Sequence, residues 1–190
     1  MVGARYVDKT NFAAPSLAES EALFAYISGA DPDPDGVFRQ AQMANEVDGV
    51  YYPSLGLSGF MQFFRNTPVS SILLEPAAKD AVDYVLRIRD KDGERDVRLN
   101  ARGEAKLRYF GGSGKFKRVP IHEVFFDAAP ENNEEMKKIF SGKAVLIGSS
   151  AFGAHDLRHL PFDSQAPGMY THANLFHALD QNYFFQSDDL

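Results

Sequence analysis

The densest run of residues able to do chemistry is GKAVLIGSSAFGAHDLRHLPFDSQAPGMYTHANLFHAL, from Gly142 to Leu179. It holds Ser149, Ser150, His155, Asp156, His159, His172 and His177. A serine hydrolase needs its nucleophile on a sharp strand-to-helix turn, commonly written G-x-S-x-G. Here Gly148 and Ser150 occupy their places, but Phe152 stands where the second glycine belongs. His155 and Asp156 are neighbours in sequence, and adjacent side chains rarely face each other across a triad. Metal binding is the other reactive reading. His155 and His159 would share a helical face, with Asp156, His172 and His177 as further ligands. Against both stands a structural reading in which His172 is buried and hydrogen-bonded and the others are solvated.

Three other stretches imitate known sites. DPDPDG places Asp31, Asp33, Asp35 and Gly36 as in the first half of a calcium-binding loop, but the twelfth position is Gln42, which offers no bidentate carboxylate. These three aspartates are weak metal candidates beside the reading as an acidic turn. GGSGKF lacks the first glycine of a phosphate loop, replaced by Tyr109, and its magnesium-binding hydroxyl, replaced by Phe116. HEVFF begins like a zinc-protease helix but carries Phe126 where the second histidine is needed.

The elements that must position these residues follow from hydrophobic spacing. Ser16 and Glu19 form a capping box ahead of a helix expected over 17–27, with Gly29 as its stop. VFRQAQMA alternates as a strand leading to a turn at Asp48-Gly49. PSLGLSGFMQFF spaces Leu57, Met61 and Phe64 as a helix, with two glycines that admit another backbone. DYVLRIRD, DVRLNA and AKLRYF alternate apolar and polar residues between turns at Asp92-Gly93 and Arg102-Gly103, predicting a three-stranded antiparallel meander. Its Tyr84, Leu86, Ile88, Val97, Leu99, Leu107 and Tyr109 should face the core, and Arg87, Arg89, Arg98 and Arg108 should face out or toward a site.

After GGSG, IHEVFFD and PENNEEMKKIF read as short helices, the second stopped by Gly142. KAVLIG is a short apolar run of the kind buried inside a sheet. A last helix is expected over 171–179. The loop 148–168 is then long for a connection in a compact domain. It is expected to be a structural tie: Asp156 caps it or pairs with Arg158 or Arg108, while His172 and Asn174 bond it to the last helix. The fold class is mixed α/β, a mixed sheet with a central meander and a buried strand flanked by helices, in one domain spanning 1–190.

Composition narrows the function. The 190 residues carry a net charge of −6 and no cysteine, which excludes disulfides and thiolate metal sites and makes nucleic acid a poor partner. Met1 to Thr10 lacks the features of a secretion signal, and no apolar run approaches the roughly 18 residues that cross a bilayer. The chain by itself is expected to be soluble, and its composition suits a segment of a longer membrane protein equally well.

DPDGVFR at 33–39, YPSL at 52–55, LRYFGG at 107–112, FSGKAVLIGSSAFGAHD at 140–156, LP at 160–161 and APGMYTHAN at 166–174, in this order, resemble the successive motifs of the second CHASE family. The resemblance covers roughly 12–183. It implies an extracytoplasmic sensory domain, periplasmic or extracellular, of a transmembrane receptor such as an adenylate or guanylate cyclase, histidine kinase or protein kinase. It also implies that the domain itself has no catalytic activity, that flanking helices of the parent protein hold it to the membrane, and that part of the family's usual N-terminal stretch is missing. The ligand-contact candidates are Arg108, His155, Asp156, His172 and Asn174. No cofactor is expected. The signal is an unidentified small molecule or protein, and a homodimer is the expected assembly, since a sheet short of strands leaves an edge that attracts another chain. The rival class is a metal-dependent or serine hydrolase using 149–172, and a third is a purely structural assembly module.

Overall fold

A computed structural model describes residues 2–5, 23–26, 30–47, 50–62, 72–76, 83–90, 93–127, 134–150 and 156–185 of the chain. Its fold is mixed α/β, with short strands, mostly antiparallel, packed on helices. The elements that carry the core are β7 (Tyr84–Asp90) and β8 (Gly93–Leu99), a hairpin whose register runs from Tyr84↔Leu99 to Asp90↔Gly93. Alternation puts Leu86, Ile88, Val97 and Leu99 on one face, and all four are buried. On the opposite face Arg87 reaches Glu75, Glu94 and Asp96, which keeps that side of the sheet soluble.

The third strand of this sheet is β6 (Ile72–Pro76), antiparallel to β7. The expected third strand, AKLRYF, does not complete the meander. At the turn after Leu99, Asn100 Oδ1 accepts from the N–H groups of Arg102 and Glu104, and Gly103 takes φ +76. One hairpin-type bond joins Asn100 N–H to Glu104 O at 3.0 Å, and then β9 (Glu104–Lys106) leaves to pair with β3 (Gln40–Gln42). Glu104, only 4 % exposed, is held by Asn100 Nδ2 at 2.7 Å and Arg102 at 2.9 Å. Alternation told which face Leu107 and Tyr109 use, and both pack on the core. It carried no information on which neighbour they pair with.

Two further expectations are corrected. Leu23–Tyr26 is a strand, β2, parallel to β1 (Val2–Arg5), and not the end of a helix over 17–27; the rest of that expected helix lies outside the described residues. LFAY suits either state, and strand pairing overrides local preference. KAVLIG is not a buried sheet strand: residues 143–150 have no regular secondary structure, and Val145 and Ile147 are 53 % and 83 % exposed. An apolar run is buried on both faces only where strands flank it and layers cover it, and no described strand pairs with this one.

The later helices fall where the spacing places them, although Phe64 lies outside the described residues. β4 (Ala44–Val47) and β5 (Val50–Pro53) pair up to Val47↔Val50; Asp48 and Gly49 between them lie outside the described residues. Ser54 then caps α1 (Leu55–Phe60), its Oγ accepting from Leu57 N–H at 3.3 Å. Past a short 3-10 turn (Ser113–Lys115) and a π turn (Glu123–Asp127), α2 (Glu134–Phe140) runs to Gly142, whose φ of +68 provides the left-handed stop. β10 (Leu157–Leu160) and β11 (Asp163–Pro167) form a hairpin that delivers the chain into α3 (Met169–Gln181).

α1 and α3 cross at Gly56. A Cβ there would lie 2.9 Å from Leu175 Cδ2 and 3.0 Å from His172 O, so only glycine admits this approach. Leu57, Phe60, Met61, Leu175, Ala178 and Leu179 close over the core face of β7 and β8. A second cluster of Leu160, Ala166, Tyr170 and Ala173 lies under the first half of α3, and Tyr109 packs on both.

Candidate functional site

The polar motifs converge on α3 and on the turn that precedes β3. In DPDGVFR, Gly36 adopts φ +80 and its N–H donates to Asp33 O at 2.8 Å, closing a tight turn. Arg39 then folds back on that turn. Its Nη1 donates to Asp33 Oδ2 at 2.8 Å and to Asp35 Oδ1 at 2.9 Å, and its Nη2 donates to Asp35 Oδ2 at 2.7 Å. Asp31 pairs with Arg102 at 3.0 Å. The aspartates weighed as calcium ligands are thus directed at two guanidinium groups, and no described group of three acidic or histidine side chains is arranged to hold a metal.

The Arg39 fork, helped by Val37 N–H, holds the Asp35 carboxyl down at about 2, below its ordinary value of 3.8. A depressed carboxylate stabilises the fold above its unfolded value and loses that contribution as pH falls through the folded one. The melting-temperature gap between wild type and Asp35→Asn should therefore shrink as pH falls from about 4 to about 2. A gap constant across that window would contradict the clamp.

The same motif is stitched to the rest of the molecule by its backbone. Phe38 N–H donates to His159 O at 2.8 Å, and Leu107 N–H donates to Arg39 O at 2.9 Å. Arg158 lies over the Phe38 ring at 5.1 Å. Tyr109 follows Leu107 and buries its hydroxyl beside Thr171 of α3 without a hydrogen bond of good geometry. Burial pushes that phenol up to about 12, and the polar contact with Thr171 offsets part of the rise.

Of the ligand-contact candidates, Asn174 is the most enclosed, 1 % exposed. Its Oδ1 accepts from Phe110 N–H at 3.0 Å and its Nδ2 donates to Tyr170 O at 2.8 Å. It therefore ties α3 to the LRYFGG segment, and the expectation from sequence that it bonds the loop over 148–168 is corrected. His172 is buried on α3. Arg108 stacks over Tyr183 at 5.2 Å and Phe185 at 4.8 Å, just past the end of the helix. Asp156 pairs loosely with Arg158 at 3.7 Å, one of the two partners expected for it, and its carbonyl accepts from Gly168 N–H at 2.7 Å. Its carboxylate lies against Gly168, where a Cβ would collide with Oδ1. His155 lies outside the described residues.

Ser149 and Ser150 are exposed, and so is His159. Ser150, Asp156 and His159 make no hydrogen bond to one another. Asp156, Asn174 and Arg108 are thus spent on three separate ties along α3, at its start, its middle and the segment beyond its end. Sequence reading missed a fourth: Arg95 of β8, whose Nη1 donates to Leu179 O at 2.7 Å and Asp180 O at 3.0 Å. Arg95 falls between the turn at Asp92-Gly93 and the DVRLNA run, and a cation aimed at the carbonyl end of a distant helix leaves no local signal.

The chain belongs to the CHASE2 family: the model of the CHASE2 domain matches residues 6–187. CHASE2 domains are extracellular or periplasmic sensory domains, not catalytic ones, found in membrane receptors of the cyclase and kinase classes. No curated protein and no solved structure matches the chain. No described helix is long and apolar enough to cross a membrane.

Proposed function

We propose that this chain is the signal-input domain of a transmembrane receptor with an adenylate or guanylate cyclase, histidine kinase or protein kinase as its output, and that α3 passes the state of the domain toward the membrane. The observation that carries this reading is the seating of α3. It is buried along nearly all of its length and tied to separate elements at its start, middle and end. A ligand or partner that shifts any of these elements changes the balance between two positions of the helix, which is how a binding event becomes a signal. The signal is an unidentified small molecule or protein that meets the domain outside the cytoplasm.

Because the chain has no cysteine, its sidedness is open to a clean test. In cells expressing the receptor that carries Lys117→Cys, a membrane-impermeant maleimide should label the exposed position without lysis. Labelling that requires lysis would overturn the extracytoplasmic placement.

A further inference from the structure

The apolar run that fails to enter a sheet has the makings of one. Between Ala144 and Gly148 no backbone group hydrogen-bonds another described residue. The side chains nonetheless alternate as in a strand. Leu146 packs on the cluster of Leu160, Ala166, Tyr170 and Ala173, and a Cβ at Gly148 would fall 2.7 Å from Met169 Sδ, so this face is seated. The other face turns Val145 and Ile147 to solvent. Backbone N–H and C=O groups that have no partner among the described residues, beside exposed β-branched side chains, are a template for strand addition.

We infer that this segment pairs with the same segment of a second copy, antiparallel about Leu146. The sequence is self-complementary in that register. A two-fold axis at Leu146 sets Val145 of each copy opposite Ile147 of the other, a β-branched cross-strand pair on the exposed face. It sets Lys143 opposite Ser149, so the two lysines fall at opposite ends of the ladder, six positions or roughly 20 Å apart, and do not repel. Pairing gives partners to backbone groups that have none among the described residues and covers Val145 and Ile147 together. The partner is thus a second copy of this chain.

The register is testable by disulfide capture in a chain free of native cysteine. Directly opposed strand residues lie within disulfide reach, whereas 145 facing 145 is displaced by two positions, roughly 7 Å further along. Under mild oxidation, a mixture of Val145→Cys and Ile147→Cys chains should give far more mixed covalent dimer than either variant gives with itself. Equal yields in all three reactions, or no covalent dimer, would overturn the register. As a second measurement, Ile147→Lys should weaken the dimer in sedimentation equilibrium by at least about tenfold while its melting temperature at low concentration matches wild type. A wild-type chain that stays monomeric at its highest soluble concentration would overturn the interface itself.

Discussion

Arg95→Met should cost about 2 kcal/mol of unfolding free energy, in the range for hydrogen bonds made by a charged group. The guanidinium donates to two carbonyls in the last turn of α3, where the helix dipole is negative and the carbonyls have no helical partners. Methionine preserves an unbranched stem to lie near Phe60, over whose ring Arg95 sits at 5.8 Å. The loss thus reports the polar tie and not a cavity. Hydrogen exchange should localise it, with protection falling in the last turn of α3 and little change at the Asn174 tie. Arg95→Lys should recover part of the stability, since a point charge favours the same helix end without the planar fork. Stability unchanged in Arg95→Met would show that this contact carries nothing.

Gly56→Ala should destabilise the protein by about 1–2 kcal/mol, although alanine is the better helix former. The reason is what the new methyl would meet: Leu175 Cδ2 at 2.9 Å can rotate away, but His172 O at 3.0 Å is backbone and yields only if α3 moves. Gly59 in the same helix is the control. A Cβ there would sit at ordinary contact, 3.8 Å from the Phe176 ring. Gly59→Ala should therefore gain up to about 1 kcal/mol from helix propensity. Urea unfolding of the pair decides the matter, and two changes of the same sign would contradict the close crossing.

Both predictions concern α3, and the sequence disclosed its neighbours unevenly. The glycines in PSLGLSGF announced a close backbone approach, and Gly56 makes one. Strict alternation around Asp92-Gly93 announced the β7–β8 hairpin and its buried residues. These features are local, set by period and turn chemistry. Pairing partners are not local: alternation in AKLRYF does not distinguish β8 from β3, which β9 joins, and the apolar run KAVLIG implies a sheet interior that the described strands do not build. Among the candidate residues, Asp156 pairs with Arg158 as its charge and nearness in sequence suggest, and Asn174 bonds backbone, as short polar side chains commonly do, but not that of the loop expected for it. Asn174's actual partner, Phe110 N–H, lies 64 residues away in sequence, and Arg95's carbonyl partners lie 84 and 85 away. No spacing rule reaches that far.

Transmission through α3, as proposed above, requires the segment after the helix to move. Leu107 and Phe184 are bridge partners across the segment that follows the helix, so Leu107→Cys with Phe184→Cys would lock that segment to its neighbour when oxidised. In the membrane receptor carrying this domain, output measured with the pair reduced should respond to the stimulus, and output with the pair oxidised should be frozen at one level. A stimulus response of the same size in both states would contradict transmission through α3.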